Sequence, residues 1–95
     1  MIELTSILIR STLTPIQLKM ALHFLLKSQT EGVIMYDVSS IAVEYMYDEV
    51  NVHMAIKDID RMGIIRIHRK EGDDSIKMGG CLSFIGDPER WVIQG

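Results

Sequence analysis

The stretch "IAVEYMYDEVNVHMAIKDIDRMGII", residues 41–65, decides how this chain folds. Two apolar patterns of helical spacing run through it, hinged at "MYDE" and stopped by Gly63, where a left-handed residue ends a helix. Asp48 is placed to cap the second pattern, whose inward stripe is Val52, Ala55, Ile56, Ile59 and Met62. The stretch therefore predicts helix, tight turn, helix and the start of a strand. It is also acidic: Asp48, Glu49, Asp58 and Asp60 stand against only Lys57 and Arg61.

Upstream, "TPIQLKMALHFLLKSQ" carries the strongest helix start in the chain. Thr14 is a cap, Pro15 suits the first helical position, and Gln17 completes a capping box. Leu18, Ala21, Leu22 and Leu25 share one face, widened by Phe24 and Leu26, and Lys19, His23 and Lys27 form the wet side. Before it, "LTSILIRS" reads either as a short helix capped by Thr5 or as a strand. "EGVIMY" is brief, apolar and partly β-branched, which predicts a strand. Asp37 or Ser39 then starts the helix that turns Val38, Ile41, Ala42 and Tyr45 inward.

Downstream, "IIRIHRK" alternates in the manner of a strand, "EGDD" supplies a turn, and "SIKM" returns as its partner. Gly79 and Gly80 permit a bulge or bend before "CLSFIG", and Trp91 is expected to fold back on the body. Taken in order, these elements make an α+β fold: a winged helix-turn-helix, with a three-helix core and a small antiparallel β-hairpin wing, in one domain spanning residues 1–95.

The bulk composition agrees with one small core. Apolar residues make up 47% of the 95, which is a folding composition. A net charge of −3 opposes generic attraction to nucleic acid or anionic membranes, though not a local basic patch. Cys81 is the single cysteine, so no intrachain disulfide forms and a reducing, cytoplasmic setting is the simpler expectation. No apolar run reaches membrane-spanning length, and "MIELTSILIR" lacks the features of a secretory signal.

Residues 41–65 resemble winged-helix DNA-binding proteins. Ile41, Ala42, Val52, Ile56, Ile59, Gly63, Ile64 and Ile65 hold the matching positions without a gap. A fainter likeness, through "IELTSILIR" and the "CLSFIGDPERWVIQG" ending, is to plasmid and phage replication initiators of winged-helix type. One departure stands out: Met46 lies where the family often has glycine in the turn.

The resemblance implies site-specific binding of double-stranded DNA, in transcription regulation or replication. The helix after Asp48 would enter the major groove and the wing would lie on the backbone. Val50, Asn51, His53, Met54, Lys57 and Arg61 form the outer face of that helix and its start. These types suit base reading: Asn bonds adenine, Arg or Lys pairs guanine, Val or Met touches a thymine methyl. Arg66, His68, Arg69, Lys70 and Lys77 cluster on the wing, where they read equally as backbone contacts or as the charges of an ordinary exposed hairpin. A homodimer through the N-terminal segment is expected. The rival is a protein-interaction module, favoured by the acidity and by an exposed Val50–Met54 pair. Catalysis, cofactors and metals are not expected: His23, His53 and His68 have no ligand spacing, and there is no phosphate loop or nucleophile elbow.

Overall fold

Thr14 opens the central helix with the expected capping box. Its hydroxyl accepts from the Gln17 amide N–H at 3.3 Å, and the Gln17 side chain accepts from the Thr14 N–H at 3.1 Å. The computed structural model describes residues 4–68 and 79–92. Along them run α1 (Leu4–Arg10), α2 (Pro15–Ser28), β1 (Ile34–Asp37), α3 (Val38–Tyr45), α4 (Glu49–Arg61), β2 (Ile65–His68), β3 (Gly79–Phe84) and a short 3-10 turn at Pro88–Arg90. The fold is α+β: four helices around one core, with a three-stranded antiparallel sheet in the order β1-β3-β2.

Two refinements separate this from three helices and a hairpin. "LTSILIR" is a helix, α1, which buries Leu8 completely and rests Leu4 and Ile7 against the core. Much of the N-terminal Ile and Leu surplus is thus used inside the molecule, while Ile9 stays exposed. The hairpin gains a third strand because β1 lies on the other edge of β3. Ile34 faces Leu82 across that pair, and Ile67 faces Leu82 from β2. This row, with Ile34 and Leu82 fully buried, is the apolar face of the sheet.

The partner of β2 is Gly79–Phe84, in a register that sets Ile65 opposite Phe84 and His68 opposite Cys81. "SIKM" and the "EGDD" turn lie outside the described residues. Gly79 and Gly80 are strand residues rather than a bulge ahead of one. A Cβ on Gly79 would stand 2.9 Å from the Tyr36 carbonyl oxygen, so its bare backbone lets β1 come close.

The buried face of α2 is Met20, Ala21, Phe24 and Leu25; Leu18 and Leu22 are half-buried, and Leu26 is exposed. The inward face is therefore rotated from the one the spacing predicts: Met20 and Phe24 replace Leu18 and Leu22 at its centre, and His23 leaves the wet side while Lys19 and Lys27 stay exposed. The helix's neighbours set the direction. Lys19 Nζ sits over the Tyr47 ring at 5.2 Å, and His23 meets Tyr45. The side expected to be wet therefore carries contacts to α3 and its turn. Val38, Ile41 and Ala42 of α3 and Val52, Ala55, Ile56 and Ile59 of α4 are buried as expected, with Tyr45 and Met62 at the edge.

Caps and turns explain where helices stop. Asp37, not Ser39, caps α3, accepting from the Ser40 N–H at 3.1 Å. Asp48 stands at the N-cap of α4 but makes no side-chain cap hydrogen bond. Gly63 has φ +82°, and a Cβ there would lie 2.7 Å from the Arg90 carbonyl oxygen. The C-terminal tail crosses at that point. Val92 N–H donates to the Met62 carbonyl at 2.6 Å, and the Trp91 indole N–H donates to the Ile85 carbonyl at 2.8 Å.

Met46 ends α3 in the left-handed region, φ 60° and ψ 43°, with its side chain almost wholly in solvent. An L-residue there is strained by roughly 1 kcal/mol, and glycine is not. Met46→Gly is therefore expected to stabilise the protein by about 0.5–1 kcal/mol in urea denaturation. Gly63→Ala combines the same strain with a backbone clash and is expected to cost roughly 2–3 kcal/mol. A neutral effect would show that the tail does not pack there.

Candidate nucleic-acid interface

The outward face of α4 follows from its buried one. With Val52, Ala55, Ile56 and Ile59 inside, Val50, Met54, Lys57 and Arg61 fall on the opposite side at spacings of four, three and four. Val50, Met54 and Arg61 are exposed, Lys57 is half-buried, and Asn51 is exposed on one flank. His53 sits on the other flank and turns partly inward: its Nε2 is buried without a hydrogen-bond partner. The structure thus brings five of the six expected reading residues to an accessible surface.

Two of the four acids have internal tasks. Asp58 accepts from the Gln17 side-chain amide of α2 at 3.2 Å and stands 3.7 Å from the Arg61 guanidinium. Asp60 accepts from the Ile67 backbone N–H of β2 at 3.0 Å. One carboxylate ties α4 to α2 and the other ties α4 to the sheet. Such bonds contribute about 0.5–1.5 kcal/mol each, or more to a charged acceptor. The half of the helix that holds them presents Lys57 and Arg61 outward. Asp48 and Glu49 differ. Both are exposed at the helix start, where only the helix dipole favours them.

On β2, Ile65 and Ile67 point inward and Arg66 and His68 are exposed, which is the expected alternation. Among the described residues, Lys57 and Arg66 have no acidic partner within salt-bridge distance. The His68 Nε2 lies 2.8 Å from the Ser83 hydroxyl, which itself donates to the Gly32 carbonyl at 3.2 Å. His68 is thereby held across the hairpin. Arg69, Lys70 and Lys77 lie outside the described residues.

Spacing did not reveal the polar contact behind this surface. His23 Nδ1 shares a hydrogen bond of 2.7 Å with the Tyr45 hydroxyl and lies 3.7 Å from Glu44. Its ring stands edge-on to Phe24 and Tyr45, and only 10% of its side chain is exposed. The signal was present in the four-residue rhythm of Lys19, His23 and Lys27 and in the three tyrosines at 36, 45 and 47. The rhythm predicts a wet side, but the tyrosine that covers His23 lies 22 residues away and has no pattern relation to it. Beside this contact, a cleft of about 430 Å³ is lined by His23, Lys27, Met35, Tyr36, Ser40 and Glu44, among others.

Among the described residues no group of three or more His, Cys, Asp or Glu is placed to hold a metal ion, and no helix is long and apolar enough to cross a membrane. Comparison with protein-family models, curated proteins and solved structures gave no match.

Burial pushes the His23 imidazole below its usual 6.5; Glu44 opposes this and Lys27 adds to it. A depressed imidazole means that the unfolded chain takes up a proton first as pH falls. Stability from this site is full above 6.5 and declines below it. Urea midpoints are expected to drop between pH 7.5 and pH 5, and His23→Gln should flatten that part of the slope. An unchanged slope in the variant would refute the assignment.

Proposed function

We propose that this protein is a winged helix-turn-helix that binds double-stranded DNA at specific sites without catalysis, in transcription regulation or in plasmid or phage replication. The strand order β1-β3-β2 beside a helix, turn, helix supports the fold. One observation carries the function: the acids in the second half of α4 are bonded to α2 and β2, while Met54, Lys57 and Arg61 lie on its outer face and Arg66 is exposed on β2.

In this reading the middle and last turns of α4 meet base edges, with Asn51 at the flank, and Arg66 meets phosphate. Val50 belongs to the acidic first turn and lies furthest from this cationic end. His53, with its buried nitrogen, contributes through the helix surface and not as a freely reaching donor. The net charge of −3 supplies little non-specific attraction, so affinity depends on base contacts more than in a basic domain.

Selection from a random duplex pool at low salt, followed by fluorescence anisotropy, tests this directly. Lys57→Ala is expected to cost about 1–3 kcal/mol on the selected duplex and to relax preference at one position. Arg66→Ala should weaken all duplexes alike and lower the salt slope by about 1. If no duplex is enriched at low salt, the DNA reading falls.

A further inference from the structure

The helix–turn–helix carries a second surface that the DNA reading does not use. Val43 on the outer side of α3, Met46 in the turn and Val50 in the first turn of α4 are 80%, 91% and 70% exposed. They lie within eight consecutive residues, at the end of α3, in the turn and at the start of α4, so one short segment exposes all three. Asp48 and Glu49, both exposed, stand between Met46 and Val50 in sequence.

Met46 is the informative member. Its backbone is held at φ 60°, where glycine would sit without strain, and its side chain gives almost nothing back to the core. Packing inside the chain does not explain a methionine at this strained, exposed cap, and backbone outliers cluster at sites that contact other molecules. Asp48 adds a second sign. It occupies the cap position yet makes no side-chain cap bond, so its charge remains available at the surface. An apolar centre beside two carboxylates repels phosphate, whether of DNA or of an anionic membrane. It complements a segment that is apolar and positively charged.

We infer that the Val43–Met46–Val50 patch, with Asp48 and Glu49, is a docking site for a cationic amphipathic helix of another protein. The apolar side chains meet the helix's apolar stripe, and the two carboxylates meet its Lys or Arg residues. Met suits such a contact because its unbranched, polarisable side chain adapts to irregular surfaces. This inference does not rest on the DNA reading.

The test is an NMR titration of the full chain, observing the Met and Val methyl groups. The probe is a synthetic helical peptide of Leu and Lys, with a Leu and Glu peptide of the same pattern as its control. Saturable shifts confined to Val43, Met46 and Val50, from the Lys peptide only, are expected. Met46→Gly, which keeps or raises the melting temperature, should weaken binding at least tenfold, as should Val43→Ser. Asp48→Asn with Glu49→Gln should weaken it and reduce its salt dependence. Unsaturable binding, shifts centred elsewhere, or undiminished affinity in Met46→Gly would overturn the proposal. So would concentration-dependent shifts of the same methyls without peptide, which would make the occupant a second copy of this chain. A DNA duplex that shifts these methyls, and not those near Lys57, would assign the patch to DNA and likewise overturn it.

Discussion

Everything in this fold rests on α2 being pinned on two sides at once. Met20 and Phe24 fill the centre, where each fully buried side chain of this size contributes about 1.5–3 kcal/mol. That supplies the driving force but not the exact rotation, because apolar residues extend well beyond one face of α2. Direction comes from weaker contacts that are specific in geometry: His23 to Tyr45, Lys19 over Tyr47, and Gln17 to Asp58. Three positions along α2 thus locate the end of α3, the turn and the far half of α4. The hydrophobic core makes the domain; the polar ties aim its helix pair.

The same division explains the acidity of residues 48–60. A count of charges treats four carboxylates as one repulsive block. In the folded chain they separate by height along α4. Asp58 and Asp60 turn to α2 and β2 and hold the helix in place, whereas Asp48 and Glu49 stay in solvent at its start. The later half of the exposed face consequently carries Lys57 and Arg61, the latter paired with Asp58, and the first turn is apolar with negative charge. A small acidic domain can carry a local basic surface when its acids have internal partners to satisfy.

Much of the architecture was legible in residue order. The capping box at Thr14 and Gln17, the inward stripe of α4 and the left-handed Gly63 each rest on local rules, and each stands in the structure. What was hidden depended on partners distant in sequence. "LTSILIR" has a pattern too short to tell helix from strand, and only its burial against α2 settles it. The rotation of α2 and the burial of His23 follow from tyrosines more than twenty residues away. The strand in "EGVIMY" was readable, but not its pairing with β3, which brings the Tyr36 carbonyl so close to Gly79 that a Cβ would not fit. Of the candidate interface, the outer stripe of α4 was readable from helical period. That Asp58 and Asp60 are engaged was not, because their partners, Gln17 and the Ile67 amide, have no pattern relation to them.

The bond from Asp60 to the Ile67 amide has a mechanical corollary. It bridges the last turn of α4 to the middle of β2, spanning the Gly63 corner where the chain would otherwise pivot. With that corner also pinned beneath the tail at Arg90 and Trp91, helix and strand are braced like two sides of a triangle. Turning α4 relative to β2 therefore requires breaking both the Asp60 bond and the bond from the tail.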